Sequence, residues 1–289
     1  MRQIYDRKNG EFYEDKQYGA RALNFLYGNA LGRIILKYFI VGRLYSEYNA
    51  KRNRSARSVK KIAPFVKEYG IKLDDFENRE FESFSDFFTR KLGDGKREFA
   101  LRENDFISVA DSKLLCYEIT NNGKIPIKNS IYTANEIVNE EIDSNFYGGY
   151  CLVFRLSVDD YHRYCFFDNG NVKRTKYVAG KLHTVSPISS KRYKVFSENC
   201  RSISYLNTEN FGECYQIEVG ALLVGKINNH SIKSFSKGEE KGYFEMGGST
   251  IVVMVKKGFL SIDQDILNNS KADIETKVLI GERIGHKDV

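Results

Sequence analysis

From Arg21 to Tyr48 the chain reads RALNFLYGNALGRIILKYFIVGRLYSEY, an apolar text broken by Arg33, Lys37 and Arg43. Leu31, Ile34, Ile35, Tyr38, Phe39 and Val41 or Leu44 recur at helical spacing, which predicts an amphipathic helix. Its longest uncharged run, Ala22 to Gly32, falls far short of the roughly 20 residues that cross a bilayer. Two placements fit: packed on the protein body, or lying in a membrane interface with the basic side chains reaching its edge.

Helical periodicity resumes from Ser55 to Tyr69, with Pro64 as a kink or restart and Gly70 as the stop. Phe81 to Leu92, FESFSDFFTRKL, offers Ser83 or Ser85 as an N-cap and gathers Phe84, Phe87, Phe88 and Leu92 on one side. The glycines of GDGK, Gly93 to Lys96, then mark a boundary between a helical N-terminal region, 1–95, and the remainder, 96–289.

After about residue 105 the period shortens. CLVFRL at Cys151 to Leu156, YQIEVGALLVG at Tyr215 to Gly225 and STIVVMV at Ser249 to Val255 read as strands, separated by Gly and Asn turns such as DNGN at Asp168 to Asn171. No long amphipathic helices alternate with them, which disfavours a doubly wound parallel sheet. The expected fold class is α+β, a mostly antiparallel β body with a helical N-terminal portion.

Composition adds constraints. A chain of 289 residues, 42% hydrophobic and 13% aromatic, can bury a sizeable core in one large or two modest domains. Its +7 charge is less informative than where the charge sits: KRNRSARSVKK, Lys51 to Lys61, carries six basic residues and no acidic one directly after the apolar helix. That is either a solvated face or a patch for anionic lipid, which attracts each basic residue by about 1 kcal/mol. The five cysteines include no C-x-x-C pair, which argues against a disulfide framework and against a zinc site. The first residues lack the apolar core of a secretory signal, so a reducing, cytoplasmic setting is expected.

Four histidines narrow the search for chemistry. His162, in LSVDDYHRYCFF, follows a strand that ends near Leu156; Asp111, in ISVADSKLL, ends an apolar approach; Ser249 opens a strand behind two glycines in FEMGGSTIVV. Each has an ordinary explanation, a turn histidine, a turn aspartate and a tight turn into a strand. Together, Asp111, His162 and Ser249 could form the relay in which a carboxylate orients an imidazole that deprotonates a hydroxyl. A serine hydrolase presents its serine in G-x-S-x-G on a strand-to-helix elbow, which this sequence does not match.

The segments FESFSDFFTRKL, VADSKLL, DYHRYCFFDNG, GKLHTVSP, VFSENCRSI, FGECYQIEVGALLVGKI and FEMGGSTIVV, in that order, resemble the pyruvoyl-dependent phosphatidylserine decarboxylase proenzymes. The resemblance runs from the phenylalanine helix to near the C-terminus and implies that the Gly248–Ser249 bond breaks itself. Asp111 would orient His162, which would deprotonate Ser249 for attack on the Gly248 carbonyl, giving a β chain 1–248 and an α chain 249–289. Ser249 would become a pyruvoyl group, the covalent pyruvate cofactor, which forms a Schiff base with phosphatidylserine and releases CO2 and phosphatidylethanolamine. No metal is implied. Many relatives carry a second histidine three positions beyond the first, where this chain has Cys165. The division of labour is thereby open, and His183 is the reserve candidate for lining the site.

The lipid substrate favours the membrane placement, so 1–95 is expected to dock peripherally on the cytoplasmic side of the cell membrane, and the resemblance suggests a homo-oligomer of cleaved heterodimers. The alternatives are the same chemistry on another amino acid or aminolipid, a non-maturing membrane-surface binding protein of the same fold, and a serine hydrolase. Nucleic-acid binding ranks last, because the basic residues cluster beside apolar ones and no recognition module is present.

Overall fold

The run STIVVMV forms a strand, Ser249–Val255, with every residue buried, in a computed structural model that describes residues 3–15, 19–127, 130–185, 187–190, 192–222, 226–247 and 249–288. Branched apolar side chains suit a strand covered on both faces. This one pairs antiparallel with Tyr150–Leu156 on one side and Gly212–Val219 on the other. The sheet continues outward from Gly212–Val219 through Arg201–Thr208, Gly170–Val178 and Ser234–Phe235. On the other side it runs from Tyr150–Leu156 through Ser112–Glu118, Glu275–Val278, Gln3–Asp6 and Glu11–Glu14. Among the described residues only Gln3–Asp6 beside Glu275–Val278 is a parallel pair in this sheet. The α+β, mostly antiparallel expectation holds.

Alternation then splits the core in two. Leu152, Phe154, Ile251 and Val253 face two three-stranded sheets and the helix Gln264–Lys271. Cys151, Val153, Val252 and Met254 face a hairpin, Lys124–Ile127 with Ser130–Thr133, and the short helices Ala134–Val138 and Val195–Glu198. One of the small sheets, built from Ile227–Asn229, Glu240–Phe244 and Arg163–Cys165, lies across the end of the large sheet where Ser249 begins.

The first residues form a hairpin rather than a helix. Arg7 at its turn pins it to Asp263 and Asp265 at 2.8 and 2.7 Å and to Glu282 at 3.0 Å, so this piece belongs to the β body. Helix begins at Ala20 and comes in pieces: Ala20–Gly28, Ala30–Ile35, a π-helical turn Leu36–Ile40, and Arg43–Arg54. The break falls at Asn29, whose side chain caps the second piece by accepting from Gly32 N at 2.7 Å. Gly32 is required there: a Cβ would stand 2.0 Å from the Phe25 carbonyl oxygen. Further on, Ala56–Lys61 is a 3₁₀ turn and Ile62–Tyr69 an α-helix, ended as expected by Gly70 in the left-handed conformation.

The phenylalanine helix is Phe84–Phe88, capped by Ser83, whose Oγ accepts from Asp86 N at 3.1 Å. Phe84, Phe87 and Phe88 are buried with Phe65, and Val158 and Met246 pack against them. This apolar cap sits over the loop that follows the strand Tyr150–Leu156 and over the approach to Ser249.

Candidate active site

Ser249 is the first residue of its strand, opposite Leu156, and is 0% exposed. Among the described residues its Oγ has no hydrogen-bond partner, a costly state for a buried hydroxyl. Just upstream, Gly247 adopts φ 135°, a conformation that a side-chain-bearing residue rarely takes. Gly248 lies outside the described residues.

His162 is brought to the same place by strand pairing. Its carbonyl accepts from Phe244 N at 3.0 Å, and Arg163 pairs with Tyr243, so the chain around His162 runs beside the segment that leads through Gly247 to Ser249. The imidazole is 0% exposed and packs 4.1 Å from the Phe88 ring. Nδ1 is 2.9 Å from the Asp160 carbonyl oxygen. A carbonyl only accepts, so Nδ1 carries the proton and Nε2 presents its lone pair. Among the described residues Nε2 has no hydrogen-bond partner of good geometry, although the Gly247 backbone favours the protonated ring. Burial nonetheless pushes the pKa down to about 3, with the Asp160 carbonyl opposing and Arg90 assisting. A buried hydroxyl and a neutral imidazole, each with an unused polar atom, thus share one end of the sheet.

Asp111 is placed differently. Its carboxylate is held by Arg97 and by Ile280 N at 2.8 Å, and none of its hydrogen bonds among the described residues goes to His162. Burial raises its pKa while Arg97 opposes the rise. The thiol of Cys165, where the family resemblance implied a second histidine, points at the Ser108 carbonyl, 3.8 Å away. Burial pushes that thiol's pKa well above its ordinary value, which makes it an inert filler.

His183 stands on another flank. It stacks on Tyr193 at 3.9 Å, and its Nδ1 is 3.4 Å from the Tyr27 hydroxyl. Asn199 brackets its main chain and also donates to the Gly220 carbonyl at 2.8 Å. Gly220 follows Val219, the partner of Thr250, so His183 is tied to the strand on the other side of Ser249. Its Nε2 is buried without a partner, and burial lowers its pKa to about 4.

Sequence reasoning passed over two groups. Arg90 is buried, and among the described residues its guanidinium meets the Phe87 and Asp159 carbonyls at 3.3 and 3.5 Å and the faces of Phe76 and Phe87 at 4.3 and 4.8 Å. Lys113 holds both Asp160 oxygens at 2.7 Å. The signal for the second was present in the text, a lysine amid apolar residues in VADSKLL and the doubled acid in VDDYH. Among the described residues no group of three or more His, Cys, Asp or Glu side chains could hold a metal ion.

The sequence pattern of phosphatidylserine decarboxylases matches residues 84–286. The chain belongs to the phosphatidylserine decarboxylase family. A relative from Clostridium acetobutylicum, phosphatidylserine decarboxylase proenzyme 2, is 56% identical over 283 residues, 98% of this chain and 97% of its own. Phosphatidylserine decarboxylase proenzymes of Clostridium botulinum and Ruminiclostridium cellulolyticum are each 38% identical, over 99% of this chain and 100% and 98% of theirs. Membership makes the chain an enzyme of the decarboxylase type, as its motifs had implied, and the match begins at the phenylalanine helix that caps His162.

The depressed pKa of His162 has a stability consequence. An unfolded imidazole titrates near the usual 6.5, so between about pH 6.5 and 3 the unfolded chain binds the extra proton and stability falls as pH falls; above pH 6.5 the term vanishes. Urea denaturation at pH 5 should show about 2 kcal/mol lost through this residue relative to pH 7.5. His162→Gln should remove that part of the slope, and an unchanged slope would contradict the neutral, buried assignment.

Proposed function

We propose that the chain cuts itself between Gly248 and Ser249 and then converts phosphatidylserine to phosphatidylethanolamine and CO2. The observation that carries this reading is the pair of unused polar atoms, Ser249 Oγ and His162 Nε2, buried at one end of the sheet beside a glycine in a disfavoured conformation. His162 Nε2 takes the hydroxyl proton and Oγ attacks the Gly248 carbonyl carbon. The bond to the Ser249 nitrogen breaks as an ester forms. The imidazolium hands its proton to the freed Ser249 nitrogen; loss of the Ser249 Cα proton then expels the Gly248 carboxylate from Cβ, and the resulting enamine tautomerises to an imine that water hydrolyses to a ketone and ammonia. A neutral imidazole suits the first of these steps, since the protonated ring accepts nothing.

Asp111 enters as a counter-charge rather than as the acceptor on the ring. It lies within Coulomb range of Arg90, which itself bears on His162, so its negative charge moderates the pressure that Arg90 places on the imidazole. His183, tied through Asn199 and Gly220 to the strand on the other side of Ser249, is the further candidate for lining the site.

The residues present fit the pyruvoyl group, because its precursor would be Ser249 itself, sealed from solvent at the start of a central strand. Such a group supplies a ketone that takes up a primary amine and draws off the electrons of the breaking carbon–carbon bond. The surrounding chain contributes exclusion of water: Phe88 and its cluster cover the histidine side.

Access for a lipid fits the N-terminal helices. Leu31, Phe39 and Leu44 are 62%, 69% and 83% exposed, and Phe25, Ile34, Tyr38 and Tyr48 are exposed with them. That concentration of large apolar side chains, followed by the basic stretch from Lys51 to Lys61, suits an anionic bilayer surface. Among the described residues no helix is long and apolar enough to cross a membrane, so the proposed attachment is peripheral, on the cytoplasmic side.

Incubating purified protein with phosphatidylserine vesicles should yield phosphatidylethanolamine and CO2, while free serine stays untouched. Ser249→Ala should yield neither product; full activity in that variant, or turnover of free serine alone, would defeat the assignment. Each large apolar side chain withdrawn from the bilayer surface forfeits about 1.5 kcal/mol. Leu31→Ser, Phe39→Ser and Leu44→Ser combined should therefore weaken co-sedimentation with anionic vesicles by well over tenfold, and wild-type sedimentation of the folded triple variant would remove these helices from the docking surface.

A further inference from the structure

We propose that the buried Lys113–Asp160 pair is a positioning element for His162, setting which ring nitrogen faces Ser249. The inference rests on the self-cleavage reading above and assigns to this pair the orienting work that a carboxylate on the ring would otherwise do.

Lys113 stands in the strand Ser112–Glu118 with its side chain 2% exposed. Its register neighbours are Arg155 and Lys277, so three cations line up across adjacent strands. Each takes its own acid: Lys277 reaches Asp6 at 3.0 Å, Arg155 reaches Glu275 and also Asp15 at 2.7 Å, and Lys113 takes Asp160. With both neighbours positive and water excluded, Lys113 depends on Asp160 for its charge. Burial opposes that charge, yet Asp160 and Asp159 outweigh it and hold the lysine pKa above its ordinary value.

The same carboxylate closes a turn. Asp160 Oδ2 accepts from Ser157 N at 2.7 Å, and Asp160 N donates to Ser157 O at 3.1 Å, so residues 157–160 are tied by both side chain and main chain. The carbonyl at the end of that turn is the acceptor for His162 Nδ1 at 2.9 Å. A displaced turn moves this carbonyl, frees Nδ1 and lets the ring rotate or flip its tautomer. Lys113 touches no reacting atom; it acts through Asp160 on the imidazole. The other groups bearing on the ring are Arg90 and Asp159 by charge, Phe88 by contact and the Gly247 backbone.

Cell-free synthesis at a series of pH values, with the cut chain followed by gel, tests this in the complete chain. Lys113→Arg retains the pair and should cut at close to the wild-type rate. Lys113→Gln should cut about 100-fold more slowly, the lower end of what a positioned general base contributes. Its acid limb should also move up toward the ordinary imidazole value, as a released ring meets water. A folded Lys113→Gln that cuts like wild type overturns the proposal, and so does one slowed equally at every pH, which marks general loosening. Should Lys113→Gln fail to melt cooperatively, Asp160→Asn, which can keep the Ser157 bond but lacks the charge, is judged by the same two criteria. Wild-type chain that never cuts sinks the self-cleavage reading instead.

Discussion

Pairing of Ser249–Val255 with Tyr150–Leu156 and Gly212–Val219 is the interaction on which the rest depends. It ends at Ser249, so the serine lies where regular strand pairing gives way to the segment that carries Gly247 at φ 135°. The same pairing would hold the two pieces of a chain cut before Ser249. Residues after Ser249 also supply the helix Gln264–Lys271, Glu275–Val278 and Arg283–Lys287, each paired or packed with strands before Ser249, and Leu260–Ile262, which pairs with Arg283–Lys287 and packs into the shared core. A chain cut before Ser249 therefore stays assembled without a covalent link, and its new terminus remains in the buried position that the serine held.

Charge burial gives the site its character. Lys241 with Glu218 at 2.8 Å, Arg155 with Glu275, and Lys113 with Asp160 are interior ion pairs that remove freedom from the elements they join. Arg90 differs, because carbonyl oxygens and aromatic faces take the place of a contacting carboxylate. Its charge, offset by Asp111, Asp160 and Asp159 only at a distance, helps to keep His162 neutral, which is the state that a proton acceptor needs. The N-terminal helices join this system on both flanks: Arg54 pairs with Glu245 just upstream of Gly247, while Val41 O accepts from Leu182 N and the Tyr27 hydroxyl meets His183. The surface that would meet lipid is thus bonded directly to both flanks of the site.

Much of this was legible in the text because local rules and tertiary packing agree there. STIVVMV and CLVFRL could hardly be other than central strands, and Gly70 and Ser83 stop and start their helices as such residues do, while His162 pairs beside Phe244, in the segment that leads to Ser249. The N-terminal hairpin was not legible: QIYD and EFYE are short, and they are strands only because Glu275–Val278 leaves an edge and Arg7 finds three carboxylates far along the chain. Nor could the partner of Asp111 be read from spacing, since choosing between Arg97 and His162 is a matter of three-dimensional register. The ring-orienting carbonyl of Asp160 escaped notice because motif reasoning looks for side chains.

The central claim is that Ser249 severs the bond before it, and the mass of the purified protein tests that most directly. The account predicts two chains, 1–248 and 249–289, that remain associated under native conditions, the shorter one lacking a free amino terminus and gaining two hydrogens on borohydride treatment. A single species that holds the full 33.3 kDa mass indefinitely and has no reducible carbonyl would contradict it.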